Sequence, residues 1–322
     1  MRDLSVMDLM VKKAQPNRDS RKLSLRRLVL SPYFSAAIAM LLWAFSFVVI
    51  RGTHEMVPPI GLNFWRSCLA LLLLLAMGFS HLRLEMRAIL NQWKTFFLLG
   101  FLLVLIGNTA MFVGLQSTTA INGGLLNSMG PVVIVVFSWL LFRETVTPLQ
   151  MLGILTSLAG VIILITRADT TVLTALDFNR GDLWFVVAVI GWALYAVLIR
   201  RTAPTMHSLA FMTAVTLCGI VFLFPLYLWE SLTQRPTEFN APTVLSIIYL
   251  GLFTAVFAIL LWTRAIRMIG ANNVGLFIHL VPVFSVILAI IFLGEVLRGF
   301  HLIGIALIAI GIYLTTVIGS KV

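Results

Sequence analysis

The sequence predicts an all-α integral membrane protein whose ten transmembrane helices form two inverted five-helix repeats. Three observations predict it: the composition, the spacing of the apolar runs, and a stretch that occurs twice. Of 322 residues, 60% are hydrophobic and 11% charged, against about 25% charged in soluble domains. A soluble fold of this length has no room inside for so much apolar side chain. A helical membrane protein turns it to lipid instead.

The net charge of +11 is distributed in a way that excludes a nucleic-acid role. Arg2, Lys12, Lys13, Arg18, Arg21, Lys22, Arg26 and Arg27 all precede the first apolar run, and most other basic residues fall in short linkers. That is the pattern of topology-setting charge, and no nucleic-acid-binding motif accompanies it. Cys68 and Cys218 both lie inside apolar runs, so neither a disulfide nor a metal site is expected. No cofactor is expected either. The first apolar run ends in RGTHEM, without a small-x-small cleavage pattern, and reads as an uncleaved first span.

A helix needs about twenty apolar residues to cross the hydrocarbon core. Ten runs qualify: 33–50, 60–80, 95–114, 121–142, 149–166, 182–199, 209–229, 243–263, 272–293 and 300–318. The linkers hold the charges, prolines and turn residues. With the N-terminus inside, 17 of the 23 Lys and Arg residues fall on the inner side and 5 outside, with Arg66 within a span. Both termini are therefore expected in the cytoplasm, in a plasma membrane such as a bacterial inner membrane. The chain divides into a basic tail (1–32), a first repeat (33–166), an external linker (167–181), a second repeat (182–318) and a short C-terminal end (319–322). The tail, VKKAQPNRDSRKLSLRRLVL, suits anionic headgroups.

The duplication is explicit. Residues 120–160 align with 271–311 without a gap at 11 identities in 41 positions, including Asn122/Asn273, Gly124/Gly275, Pro131/Pro282, Glu144/Glu295, Gly153/Gly304 and Gly160/Gly311. The first spans agree as well, WAFSFVVIR (43–51) against WALYAVLIR (192–200). Five spans per copy is odd, so the second copy enters the membrane from the opposite side. Inverted repeats of this kind are typical of secondary transporters, which bind substrate near the midplane between the copies.

The run A-x-N-x-G-L…P…E…G…G resembles the second half of each EamA repeat of the drug/metabolite transporter superfamily. Pro131, Glu144, Gly153 and Gly160, then Pro282, Glu295, Gly304 and Gly311, stand at the matching positions. Arg66, in NFWRSCLALLLLL, stands where that family tends to have an arginine. Arg143 departs from it, occupying a place usually held by glycine, as Gly294 does in the second copy. The resemblance covers about 33–318. It implies four helices of each half around a central cavity, the last helix of each half at the periphery, and export of small metabolites, often amino acids.

Several residues are candidates for the cavity or its gating. Pro131 and Pro282 lie mid-span, where each frees a carbonyl one turn back; the bend serves either gating or static packing. Asn272, Gly275, His279 and Pro282 share one face of the ninth span. His279 is either a substrate- or proton-binding group in the cavity or a neutral histidine tied to a neighbouring helix. Asn108 and Asn127 either recognise polar groups or join helices, at about 0.6 kcal/mol each. Arg66, one turn after Asn63, either snorkels to the interface or attracts a carboxylate. Trp43, Trp192, Tyr195 and Trp262 line a pocket or anchor the interface. Glu144 and Glu295 are expected to be structural, at helix ends, and Gly153, Ser157 and Gly160 to form a close-packing face.

The function expected is an alternating-access exporter of small polar metabolites such as amino acids. The alternative is a facilitative exchanger of nucleobases, vitamins or other metabolites. An integral membrane enzyme is the competing class, yet no H-E-x-x-H, paired intramembrane carboxylates or convincing Ser–His pair is present. A channel or scaffold is a third class, and the polar rings of a channel are missing. The expected partners are a small-molecule substrate and the bilayer, with the chain acting as a monomer or homodimer.

Overall fold

The computed structural model describes residues 31–118, 120–167, 169, 171–174, 179–202, 206–293 and 296–318. The basic tail, Gly294, Glu295 and the last four residues lie outside that set. Ten long helical segments follow one another: α1 (Pro32–Gly52), α2 (Pro59–Asn91), α3 (Trp93–Ser117), α4 (Ala120–Ser128 with Gly130–Phe142), α5 (Pro148–Thr166), α6 (Arg180–Thr202), α7 (Ser208–Thr233), α8 (Ala241–Ile269), α9 (Ala271–Gly275, Leu276–His279 and Leu280–Leu293) and α10 (Gly299–Tyr313, continued by Leu314–Ile318). Among the described residues, nine helices are long and apolar enough to cross a membrane, and α4 contributes the shorter apolar helix Leu126–Phe142. The chain is a multi-pass membrane protein.

Local chemistry sets several helix starts. Thr147 and Gln150 form a reciprocal capping box at α5, with Gln150 N donating to Thr147 Oγ1 (3.2 Å) and Thr147 N to Gln150 Oε1 (2.9 Å). Asn240 accepts from Thr243 N (3.0 Å) at α8. One expected linker is corrected: most of 81–94 is helix, because α2 runs on through RLEMRAILN to Asn91. That stretch has no Gly or Pro and is rich in good helix formers, so nothing stops the helix at the membrane surface.

The end of α4 explains the departure at Arg143. This residue adopts φ 55°, ψ 25°, the left-handed region that favours glycine. Its N–H donates to Trp139 O (2.9 Å) and that of Glu144 to Ser138 O (3.3 Å), closing the helix on its last carbonyls. The arginine repays some of the backbone strain by laying its guanidinium over Trp139, 5.3 Å from the ring centroid.

Packing carries the inverted symmetry into three dimensions. The largest pairings are α5 with α10 and α2 with α7, each joining equivalent helices of the two halves; α1 packs on α8 and α9 as α6 packs on α3 and α4. At the α5–α10 crossing, a Cβ on Gly153 would lie 2.7 Å from Gly311 O, and a Cβ on Gly160 2.6 Å from Gly304 O. Exchanging the repeats turns one contact into the other, so the pseudo-two-fold axis passes between them. Hydrogen side chains at these four positions let the two backbones touch.

The regular helices are interrupted at equivalent places. A π-helical stretch occupies Phe101–Thr109 in α3 and Leu250–Ala258 in α8, 149 residues apart end for end. In α4 the helix breaks at Met129, just before Gly130 and Pro131, and in α9 a 3-10 turn covers Leu276–His279 before Pro282. Proline's missing N–H accounts for the second pair of interruptions.

Candidate functional site

A cavity of about 1130 Å³, counting the part open to solvent, lies between the halves. Helices α1 to α4 and α6 to α9 all contribute to its wall, and α5 and α10 do not. Of the residues singled out in the sequence, Trp43, Arg66, Asn108, Asn127, Tyr195 and Trp262 line it, as does Trp192. Asn63, Pro131, His279 and Pro282 do not, although Gly130, Ile278 and Val281 beside them do.

Arg66 is the only charged side chain among the described lining residues. It is 5% exposed, so it does not snorkel. Its Nε donates to Asn63 Oδ1 (2.9 Å) and its Nη1 to Thr254 Oγ1 (3.2 Å), while the guanidinium carbon sits 4.7 Å from the Phe112 ring centroid. Nη2 has no hydrogen-bond partner, and no carboxylate among the described residues forms an ion pair with Arg66. A buried, uncompensated cation is costly, and an ionisable group inside a membrane span points to function.

The two π-helical stretches hold this pair. Asn63 Nδ2 donates to Thr109 Oγ1 (2.9 Å) and Val104 O (3.3 Å) in the first. Thr254, which receives Arg66, belongs to the second and is itself fixed by donating to Leu250 O (2.6 Å). A wider turn frees backbone carbonyls for side-chain donors, and here it lets one polar cluster span both repeats. Asn63 thus holds the arginine in place from outside the cavity wall.

The rest of the wall is aromatic and apolar. Trp43 and Trp262 meet at a centroid distance of 5.3 Å, tilted by 59°. Trp192 Nε1 donates to Asn108 Oδ1 (3.1 Å), which orients both. Tyr195 is 1% exposed, and its hydroxyl donates to Met212 Sδ at 3.5 Å, as does that of Thr263. No Asp or Glu is present among the described lining residues.

His279 is placed differently from the cavity position allowed for in the sequence. It is fully buried, with Nε2 2.8 Å from Ser128 O and Nδ1 2.6 Å from Ser157 Oγ. A carbonyl only accepts, so Nε2 carries the proton and the serine hydroxyl donates to Nδ1. The imidazole therefore joins α9 to α4 and α5, and Ser128 is its own counterpart in the repeat. Gly275, one turn before, packs against Ile134, so this face of α9 serves packing.

Sequence reading missed Thr109, Phe112, Thr254 and Glu230. Glu230, 3% exposed on α7, accepts from Ile60 N (3.1 Å) and Gly61 N (2.6 Å) at the start of α2. Its position at the end of an apolar run was the one available signal.

The family described as EamA-like transporters matches this chain twice, over residues 30–166 and 179–317. The uncharacterized transporter YetK of Bacillus subtilis (strain 168) is 30% identical over 295 residues, covering 88% of this chain and 86% of that protein. An uncharacterized transporter of Archaeoglobus fulgidus is 29% identical over 285 residues, covering 87% and 95%. One solved crystal structure superposes with a TM-score of 0.73 at 21% identity, covering 90% of this chain and 98% of the other, a likeness of fold.

Proposed function

The chain belongs to the EamA-like transporter family, and on that premise we propose that it is an alternating-access carrier of small organic metabolites. One observation carries the reading: a cavity lies at the interface of inverted repeats, with four helices of each half in its described wall and α5 and α10 outside it. Two halves of one build exchange conformations with little energetic difference, which turns an outward-facing cavity into an inward-facing one. The interruptions in α3, α4, α8 and α9 supply the points where helices bend.

Export toward the outside follows the family resemblance. Both termini are read as cytoplasmic and the location as a plasma membrane. Because no carboxylate is among the described lining residues and both nitrogens of His279 are engaged, exchange or facilitated flux is favoured over proton coupling.

Counterflow tests the proposal. Purified protein is placed in liposomes preloaded with an unlabelled candidate metabolite, and trace labelled metabolite is added outside. A carrier gives transient accumulation that depends on preloading. Flux that ignores preloading and does not saturate marks a channel and overturns the reading.

A further inference from the structure

We propose that the substrate is an organic monoanion: one carboxylate on a ring-sized apolar body, without a charged amine. This rests on the carrier reading and narrows it.

Charge comes first. The described wall holds one cation and no anion. Arg66 is nine-tenths buried and more, is held on two sides by Asn63 and Thr254, and keeps Nη2 without a partner. Guanidinium presents paired N–H groups that match a carboxylate. A single negative ligand charge completes the site, whereas a second would lack a partner. Stacking on Phe112 and the bond to Asn63 fix the group in place, so the carboxylate meets a preorganised donor.

The rest of the wall then selects the body. Trp43, Phe47, Trp192 and Trp262 supply aromatic surface, and Met40, Met111 and Met212 supply adaptable apolar surface. The polar lining groups are neutral: Ser46, Ser67, Asn108, Asn127, Thr216 and Thr254. An α-ammonium group would leave water without a carboxylate to receive it, a desolvation that neutral dipoles offset only in part. A zwitterion therefore gains the same arginine contact as a plain acid and loses on its second charge.

A matched set of probes tests this: 3-phenylpropionate, phenylalanine, 2-phenylethylamine and 3-phenylpropanamide. Binding is read from quenching of tryptophan fluorescence in purified protein, and transport from counterflow. The acid is expected to bind about tenfold or more tightly than phenylalanine, a decade in affinity being about 1.4 kcal/mol. Arg66→Gln is expected to erase that preference, and Arg66→Lys to keep part of it. Should Arg66→Gln not fold, Asn63→Asp serves: it keeps the acceptor of Nε while giving up the donors to Thr109 Oγ1 and Val104 O, and the carboxylate it places on Arg66 is expected to turn the acid away.

Equal or tighter binding of phenylalanine overturns the inference, as does an acid preference that survives Arg66→Gln or Asn63→Asp, or no binding by any probe. Phenylalanine counterflow without acid counterflow overturns it while leaving the carrier reading intact. Selective acid binding with no counterflow does the reverse, upholding the site and removing the carrier.

Discussion

The two repeats share a frame and differ in chemistry. Their π-helical stretches fall at Phe101–Thr109 and Leu250–Ala258, their proline interruptions at equivalent points, and their glycines meet in exchanged pairs at the α5–α10 crossing. At the same spacing of 149, Asn63 and Arg66 of the first repeat correspond to Met212 and Val215 of the second, and Asn108 to Phe257. The first half supplies the cation and its holder. The second supplies Thr254, Tyr195, Trp262 and an apolar wall. Duplicated backbone suits a motion that must be nearly symmetric, while a substrate with one charged end needs the charge on one side only.

The shared frame is broken most severely at its axis. Gly160→Val places a side chain where Gly304 O already stands, and overpacking of this kind costs about 3 kcal/mol. The expected result is a large fall in melting temperature in detergent, with Gly311→Val, its counterpart in the second copy, behaving alike because its side chain would meet Gly153 O in the exchanged contact. Unequal losses would show that the two halves do not share the axis.

The chemical difference is sharpened by changing partners at equivalent positions. Asn63→Leu strands the Nε of Arg66 and takes a donor from Thr109 Oγ1, whose hydroxyl still donates to Val104 O (3.0 Å), and is expected to cost about 1–3 kcal/mol. Met212→Leu keeps volume but removes the sulfur that accepts from the buried Tyr195 and Thr263 hydroxyls; sulfur is a weak acceptor, and the expected cost is about 1–2 kcal/mol. Thermal unfolding ranks the two, and counterflow is expected to fail only in the first.

A smaller effect is expected at the bond joining the halves through His279. Ser157→Ala removes the donor to Nδ1 and leaves a buried acceptor unpaired, at about 1 kcal/mol. Melting temperature is expected to drop with counterflow retained, since none of these atoms reaches the cavity. Loss of counterflow in a stable Ser157→Ala protein would return His279 to the transport machinery.

The smallest effect separates the equivalent tryptophans. Trp192→Phe loses the bond to Asn108, worth about 1 kcal/mol, while Trp43→Phe loses only part of the tilted contact with Trp262, nearer about 0.5 kcal/mol. Tryptophan-quenching titrations with a bound ligand measure both.

Much of this was legible beforehand, and the gaps have physical causes. Repeated Pro, Gly and Asn positions disclose an inverted frame because those residue types are set by backbone demands. Arg66 was legible as an anomaly, a cation inside an apolar run. Whether it snorkels or turns inward depends on Asn63, Thr254 and Phe112, which lie three to 188 residues away in the chain. His279 was equally visible, and its partners Ser128 and Ser157 were not, because a serine in a helix usually bonds its own backbone. The π-helical stretches leave no mark in residue type, so FLLVLIGNT and LGLFTAVFA read as ordinary apolar helix.

By itself the sequence determined that the chain lives in a membrane, how often its helices cross it, and that its halves oppose one another. Those features follow from apolar run length, basic charge and an odd number of spans, all local or countable. Only the tertiary structure decided which polar groups meet. It put Arg66 in the cavity wall with Nη2 buried and without a hydrogen-bond partner and took His279 out of that wall, because hydrogen-bond geometry depends on the angle at which distant helices cross. Run length and residue type do not encode that angle; the shapes of the packed side chains do.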